Sequence, residues 1–317
     1  MRATTLMVAR SRRGRTTTPD TPHSFSSVTA LIVTALIMSA NDLCEDSGVF
    51  SGATHFFAPG DGDFHPTEFA LSRWGKDMLN GPAVVGLAAW QLEQEYGAPG
   101  FLPTRFTTDL FKAARRVPTV LRTRLVRAGG RIRNSECDVL QDDQLVARAV
   151  MVQYRTSEPP PGREWVGEVE FTAPAGVTGP AYYVGSDEIG WTPSAAEHQN
   201  TARKRVYHRT VDVVAGHASS PFVRTVVAAE ATSLACNMGT HGIGYINGDL
   251  TVAMSRLPRG DYIGLQADSH WCSEGISVGA TTLFDDVGPF GIGMVTAIAN
   301  AAAQIDFTGP DIRKLWV

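Results

Sequence analysis

Asp109-Leu110-Phe111-Lys112-Ala113-Ala114-Arg115-Arg116-Val117-Pro118 and Asp249-Leu250-Thr251-Val252-Ala253-Met254-Ser255-Arg256-Leu257-Pro258 share one pattern, D-L-x-x-A-x-x-R-x-P. The copies begin 140 residues apart, a domain-sized period and not the 20–50 residues of a solenoid. Their flanks repeat in the same order. Pro82 opens an apolar run 27 residues before Asp109, and Pro221 opens another 28 residues before Asp249. Downstream, Leu140-Gln141-Asp142-Asp143 is echoed by Leu283-Phe284-Asp285-Asp286. Similar composition explains one such match but not an ordered series, so the chain reads as a tandem duplication.

With 317 residues, 43% of them hydrophobic and 19% charged, the chain can bury a sizeable core and has room for about two domains. Five arginines and one aspartate in residues 1–37 leave the remaining body with 23 basic and 31 acidic side chains. An acidic body without a basic stripe argues against nucleic acid as a partner. Cys44, Cys137, Cys236 and Cys272 show no zinc-like spacing, and Cys137 and Cys236 lie in apolar patterns that suit buried thiols.

Residues 1–40 read as a disordered extension, rich in Arg, Ser and Thr at its start. The apolar run Ala30–Met38 is too short to span a bilayer. It has the length of a signal h-region, but polar residues separate it from Arg12-Arg13 and Met38-Ser39-Ala40 is a poor cleavage site. Met38 as the functional start, and a cytoplasmic protein, is the expectation.

The first unit, residues 41–157, opens with a short aromatic strand at Phe64–Ala70. A helix should run from Pro82, whose missing N–H costs nothing in a first turn, to Tyr96, before Gly97. Its first half is apolar nearly all round, as in a buried helix. Four strands follow, over 105–113, 119–127, 133–140 and 144–154. Arg122 and Arg124 share a face by the period of two. They are either a phosphate-contacting pair or the solvated side of a sheet.

Glu158-Pro159-Pro160-Pro161-Gly162 marks a boundary. Residues 158–204 are linker and first strands of a second unit, which occupies 205–317. Ser220-Pro221 repeats the helix opening with a serine N-cap. On this helix Glu230 falls four residues after Val226 and four before Leu234, on the apolar stripe. A carboxyl there should have a raised pKa unless it is partnered, which suits acid–base work. The alternative is a helix carboxylate tied to a nearby donor. By offset from the opening proline its counterpart in the first unit is Gln91. Strands at 247–250, 260–268, 276–284 and 290–300 close the unit.

One long helix followed by antiparallel strands, twice, is an α+β pattern. No G-x-G-x-x-G or P-loop is present to suggest a doubly wound nucleotide fold. The chain resembles the acyl-CoA thioesterase-like family of the double hotdog type, related to acyl-CoA thioesterase II. The resemblance spans roughly 50–157 and 205–300. It is carried by Phe64-x-Pro66-Thr67, Trp74, Gly81-Pro82, the 105–155 run, Ser220-Pro221-Phe222, Asn247-x-Asp249-Leu250-Thr251-Val252, Arg256-x-Pro258-x-Gly260 and Leu283-x-Asp285.

The resemblance implies a tandem hotdog, two antiparallel sheets each wrapped around one long helix and joined into one. It implies hydrolysis of an acyl-CoA thioester to free acid and CoA by an activated water, with no metal or redox cofactor. In the family an Asp, a Ser or Thr hydroxyl and a Gln orient that water. The Asp falls on Asp249 and the hydroxyl on Ser269. The Gln would fall at Val295 or Thr296 and is missing, with Thr296 or Asn300 as stand-ins. Glu230 matches an acidic residue on the second helix of closer relatives. The three are expected to converge on one pocket near the junction of the halves. The missing glutamine motivates the alternative of a catalytically degenerate acyl-CoA or acyl-carrier binding protein. A hydratase on this fold would need an Asp/His pair, for which His241 and His270 are the nearest candidates. Acyl-CoA and a second copy of the chain are the expected partners.

Overall fold

The computed structural model describes residues 55–167, 169–177 and 182–308, so the expectations for the N-terminal extension lie outside the described residues. The first half contains β1 (His55–Pro59), β2 (Phe64–Pro66), α1 (Gly81–Tyr96), β3 (Phe101–Leu110), β4 (Val120–Ala128), β5 (Ile132–Gln141) and β6 (Gln144–Arg155). The second begins with β7 (Tyr182–Ser186), β8 (Lys204–His208), β9 (Asp212–Val214), α2 (Pro221–Ala229) and α3 (Thr232–Asn237). It closes with β10 (Met238–Gly239), β11 (Gly242–Ile243), β12 (Tyr245–Asn247), β13 (Asp249–Met254), β14 (Ile263–Ser273), β15 (Ile276–Asp285) and β16 (Gly288–Ala299).

The duplication is visible in the strand order. One large antiparallel sheet runs β4-β5-β6-β3-β13-β16-β15-β14-β8-β7, with β12 also pairing with β16. Read outward from its centre, β3-β6-β5-β4 on one side is matched by β13-β16-β15-β14 on the other. At the centre the second motif copy pairs with the residues that lead into the first: Asp249 lies opposite Asp109, Leu250 opposite Thr108 and Val252 opposite Phe106, while the first copy leaves its strand after Leu110. A second tie between the halves is the parallel pairing of β1 with β9.

The helices form as their sequences dictate. The Asn80 side chain caps α1 by accepting from Ala83 N–H at 2.7 Å, and Pro82 sits in the first turn. Pro82 through Ala89 and Leu92 are all buried. Each fully buried aliphatic or aromatic side chain, such as Leu87, Leu92 or Phe106, contributes about 1.5–3 kcal/mol. Gly97 ends the helix by close approach, since a Cβ there would lie 2.5 Å from the Glu93 carbonyl oxygen.

The expected single long helix of the second half is instead two short ones. Around Glu230 the backbone tightens to i→i−3 bonds, Ala231 N–H to Ala228 and Ser233 N–H to Glu230. Such a step is how a helix is commonly interrupted. The two segments then have different neighbours, α2 packing on α1 and α3 on β14 and β15.

The repeated arginine and its downstream acid have a structural role in the second copy. Arg256 clamps Asp285 through both terminal nitrogens, and Asp285 in turn accepts from the Arg259 and Val287 N–H groups. In the first copy the equivalent Asp142 is a turn residue with φ +50°. There Gln141 does the stapling, through the Arg115 main chain and Thr119. On β4, Arg122 and Arg124 pair with Asp143 and Glu136 on the exposed face. That is the solvated-sheet alternative, and charge on an edge strand also discourages further strand pairing.

Candidate active site

Helices α1 and α2 run antiparallel in close contact. A Cβ on Gly86 would come within 2.7 Å of Val227, so the missing side chain sets their separation. This packing delivers a glutamate from each helix to the start of the other. At one end, Ser220 Oγ, the α2 cap, donates to Glu93 Oε2 at 2.5 Å. At the other, the Glu230 carboxyl lies against Gly81, the first residue of α1. A Cβ on Gly81 would collide with Glu230 Oε1 and Cδ. The two ends differ chemically: a serine hydroxyl satisfies Glu93, whereas Glu230 packs against a glycine that has no side chain to offer it.

Gly81 and Glu230 both border a cavity of about 270 Å³ with walls from both halves. The first half contributes residues 72–74, 78–81 and 110–114, and the second contributes Glu230, Ser233, Leu234, Ile243, Asn247, Ile298 and Phe307 among others. Glu230 is 3% exposed. Its Oε1 accepts from Asn247 Nδ2 at 3.2 Å, and its Oε2 is buried without a partner. Burial pushes the carboxyl up to about 8, with the Asn247 hydrogen bond acting in the opposite direction. It therefore exchanges a proton near neutrality, as an acid–base group must.

Asn247 also donates to the main-chain carbonyl of Asp249 at 3.3 Å, and between them lies a bulge. Asn247 is opposite Ala297 and Thr251 opposite Met294, so β12–β13 carries one residue more than β16 over this interval. The extra residue places Asn247 on the helix side and Asp249 on the opposite face of the sheet. There Asp249 accepts from the Thr296 N–H at 2.8 Å and from the Thr296 hydroxyl. Thr296 thus engages both oxygens at one of the two positions where the glutamine was expected.

Ser269 shares that outer face but sits on β14, opposite Ala280 of β15. With β15 and β16 intervening, it lies about 14 Å across the sheet from β13 at the usual strand spacing. The expected convergence of Asp249, Ser269 and Glu230 on one pocket does not occur. Period-two alternation and the bulge put the first two on one face of the sheet and Glu230 on the other. Of the hydratase candidates, His270 contacts Asn237 at 3.2 Å, and the His241 carbonyl accepts from Gln304. Among the described residues no group of three or more His, Cys, Asp or Glu is placed to hold a metal ion.

The comparisons with known proteins agree with this two-part architecture. Residues 70–154 match the acyl-CoA thioesterase N-terminal domain, and residues 152–294 match the acyl-CoA thioesterase C-terminal domain. The chain belongs to the acyl-CoA thioesterase family. No curated protein matched in sequence.

Solved structures share the fold of this thioesterase-family chain at low identity. The tesB protein of Mycobacterium avium subspecies paratuberculosis is 14% identical with a TM-score of 0.52, covering 70% of this chain and 88% of its own. The acyl-CoA thioesterase II TesB2 of Mycobacterium marinum is 14% identical with a TM-score of 0.54, covering 69% and 88%. A hot dog fold protein of unknown function from Alicyclobacillus acidocaldarius is 12% identical with a TM-score of 0.57, covering 80% and 98%.

Three cavity or helix-end residues carried no usable sequence signal. Asn247 entered only as part of the resemblance. Glu93 is offset by eleven from its opening proline and Glu230 by nine, so aligning the prolines pairs Glu230 with Gln91. Arg73 is 7% exposed in a chain segment with no periodicity.

Proposed function

We propose that this chain is a tandem hotdog enzyme that hydrolyses an acyl-CoA thioester within the seam cavity, with Glu230 as general base. The observation that carries this reading is the buried Glu230 carboxyl at the edge of a cavity between the two halves, one oxygen held by Asn247 and the other buried without a partner. Ionised Glu230 takes a proton from a water, and the water oxygen adds to the thioester carbonyl carbon. The C–S bond then breaks, and the departing thiolate recovers the proton from Glu230. A thioester carbonyl receives little resonance from sulfur, so a positioned water and one base suffice. The N-terminal turn of α1, beside Glu230, supplies a positive field for the developing oxyanion.

Asp249 and Thr296 act in this reading as positioning residues. They lock the bulge that turns Asn247 towards Glu230. A second reading keeps Asp249 as the base on the outer face, favoured by its hydroxyl partner Thr296. The free, buried thiols of Cys137 and Cys236 suit a reducing compartment, and we place the activity in the cytoplasm. Among the described residues no helix is long and apolar enough to cross a membrane.

Purified protein incubated with acyl-CoAs of graded chain length and a thiol reagent should release CoA thiol. Release that does not exceed background for any of them would reject hydrolysis. Tight acyl-CoA binding in that circumstance would identify the non-hydrolysing binding protein instead.

A further inference from the structure

The cavity wall holds a second ionisable group that the hydrolysis does not use. Arg73 is 93% buried, and its Nε and Nη1 have no hydrogen-bond partner. Its guanidinium lies over the Phe307 ring, 4.7 Å from the centroid, and both residues line the cavity. No carboxylate among the described residues forms an ion pair with it. Glu230 is in the same cavity yet accepts from Asn247 and not from Arg73. Arginine is almost never buried without a paired anion, and this cation has none among the described residues.

Two anions are carried by a CoA thioester: the phosphates of the CoA moiety and any acid group on the acyl chain. A cavity of about 270 Å³ lies below the usual range for enclosing even a drug-sized ligand, so it cannot hold the nucleotide end of CoA. It can hold a short acyl group. Arg73 lines that cavity, and a planar guanidinium matches a carboxylate in shape and charge.

We propose that Arg73 selects a short acyl chain ending in a carboxylate, so that the substrate class is the half-thioester of a dicarboxylic acid. This specificity role rests on the seam cavity being the acyl site proposed above. Wall residues Leu234, Ile243 and Ile298 would line the methylenes between the thioester and the acid. A site that hydrogen-bonds a charged substrate group rejects the neutral analogue strongly, because its own buried polar atoms are then left unpaired.

The test compares glutaryl-CoA with pentanoyl-CoA, equal in carbon number and different in terminal charge, for the wild type, Arg73→Met and Arg73→Lys. The ratio of kcat/KM values should favour glutaryl-CoA by at least about 10-fold in the wild type. It should fall by about 100-fold or more in Arg73→Met and by less in Arg73→Lys. A merely structural role for Arg73 would lower both substrates alike and leave the ratio unmoved, and that result overturns the proposal. Binding of free glutarate and pentanoate, read by calorimetry and by melting temperature, needs no turnover. Glutarate binding lost in Arg73→Met upholds the carboxylate site even if no thioester is cleaved. Thioester cleavage without a glutaryl preference or glutarate binding overturns it while leaving the hydrolase reading intact. Inhibition by free CoA that depends on Arg73 would assign the anion to CoA phosphate and also overturn it.

Discussion

Asp109 and Asp249 stand directly opposite each other in the antiparallel pair that joins the two halves. Each begins its copy of the duplicated motif, and the two copies run away from this point in different settings, the second along β13 and the first out of β3 after Leu110. Their fates differ: Asp249 is held by Thr296, while Asp109 is exposed. Like charges directly opposed across strands are destabilising. Arg148 faces Asp109 from the other neighbouring strand and offsets this repulsion, so Asp109→Asn should change stability by less than about 0.5 kcal/mol, and by less still at high salt. Denaturant melts at two ionic strengths check this.

Gly81→Ala should behave oppositely to its helix propensity. On an exposed helix the change would favour stability by about 1 kcal/mol. Here the new methyl meets the Glu230 carboxyl. The expected outcome is a loss of about 1–3 kcal/mol from overpacking, with thiol release falling in step because Glu230 is displaced. A gain in melting temperature with unchanged turnover would show that Glu230 does not sit against the start of α1.

The carboxyl of Glu230 predicts opposite pH trends for turnover and for stability. Its folded pKa is raised to about 8 by burial, well above the ordinary glutamate value of about 4.3. The folded state thus binds more protons than the unfolded state between those values. The associated stability is fully present below the unfolded pKa and is lost as pH rises through about 8. Turnover requires the ionised form and should rise over the same range. Glu230→Gln should remove this component of the pH dependence of the melting temperature.

Thr296→Val removes the hydroxyl that engages Asp249 while leaving the main-chain N–H in place. A hydrogen bond to a charged group contributes about 1.5–3 kcal/mol when buried, and partial exposure here argues for the lower end. If the pair only locks the bulge that positions Asn247 beside the base, kcat should fall modestly, with KM changing less. Parallel measurements of melting and steady-state kinetics separate the two effects.

The fold was legible because a repeated motif with ordered flanks survives in sequence, and because Pro82 and Pro221 mark equivalent helix starts. Glu230 was legible as a polar break in the stripe set by Val226 and Leu234. The split between Asn247 and Asp249 was not, since two residues apart on a strand imply one face. Only the main-chain pairing with β16 reveals the extra residue that breaks this rule. The interruption after Ala229 was also hidden, because no proline or glycine marks it and tertiary packing produces it. Arg73 and Glu93 were missed for the same physical reason: each takes its meaning from an element distant in sequence, the cavity wall for one and the α2 cap for the other.

The most direct measurement of the central claim is thiol release from one acyl-CoA by the wild type, Glu230→Gln and Asp249→Asn, each first shown to be folded. Loss of a general base typically costs about 100- to 10,000-fold in rate, and this is the drop expected for Glu230→Gln. Asp249→Asn should lose far less. Full activity in Glu230→Gln together with a collapse in Asp249→Asn would contradict the account and move the chemistry to the outer face of the sheet.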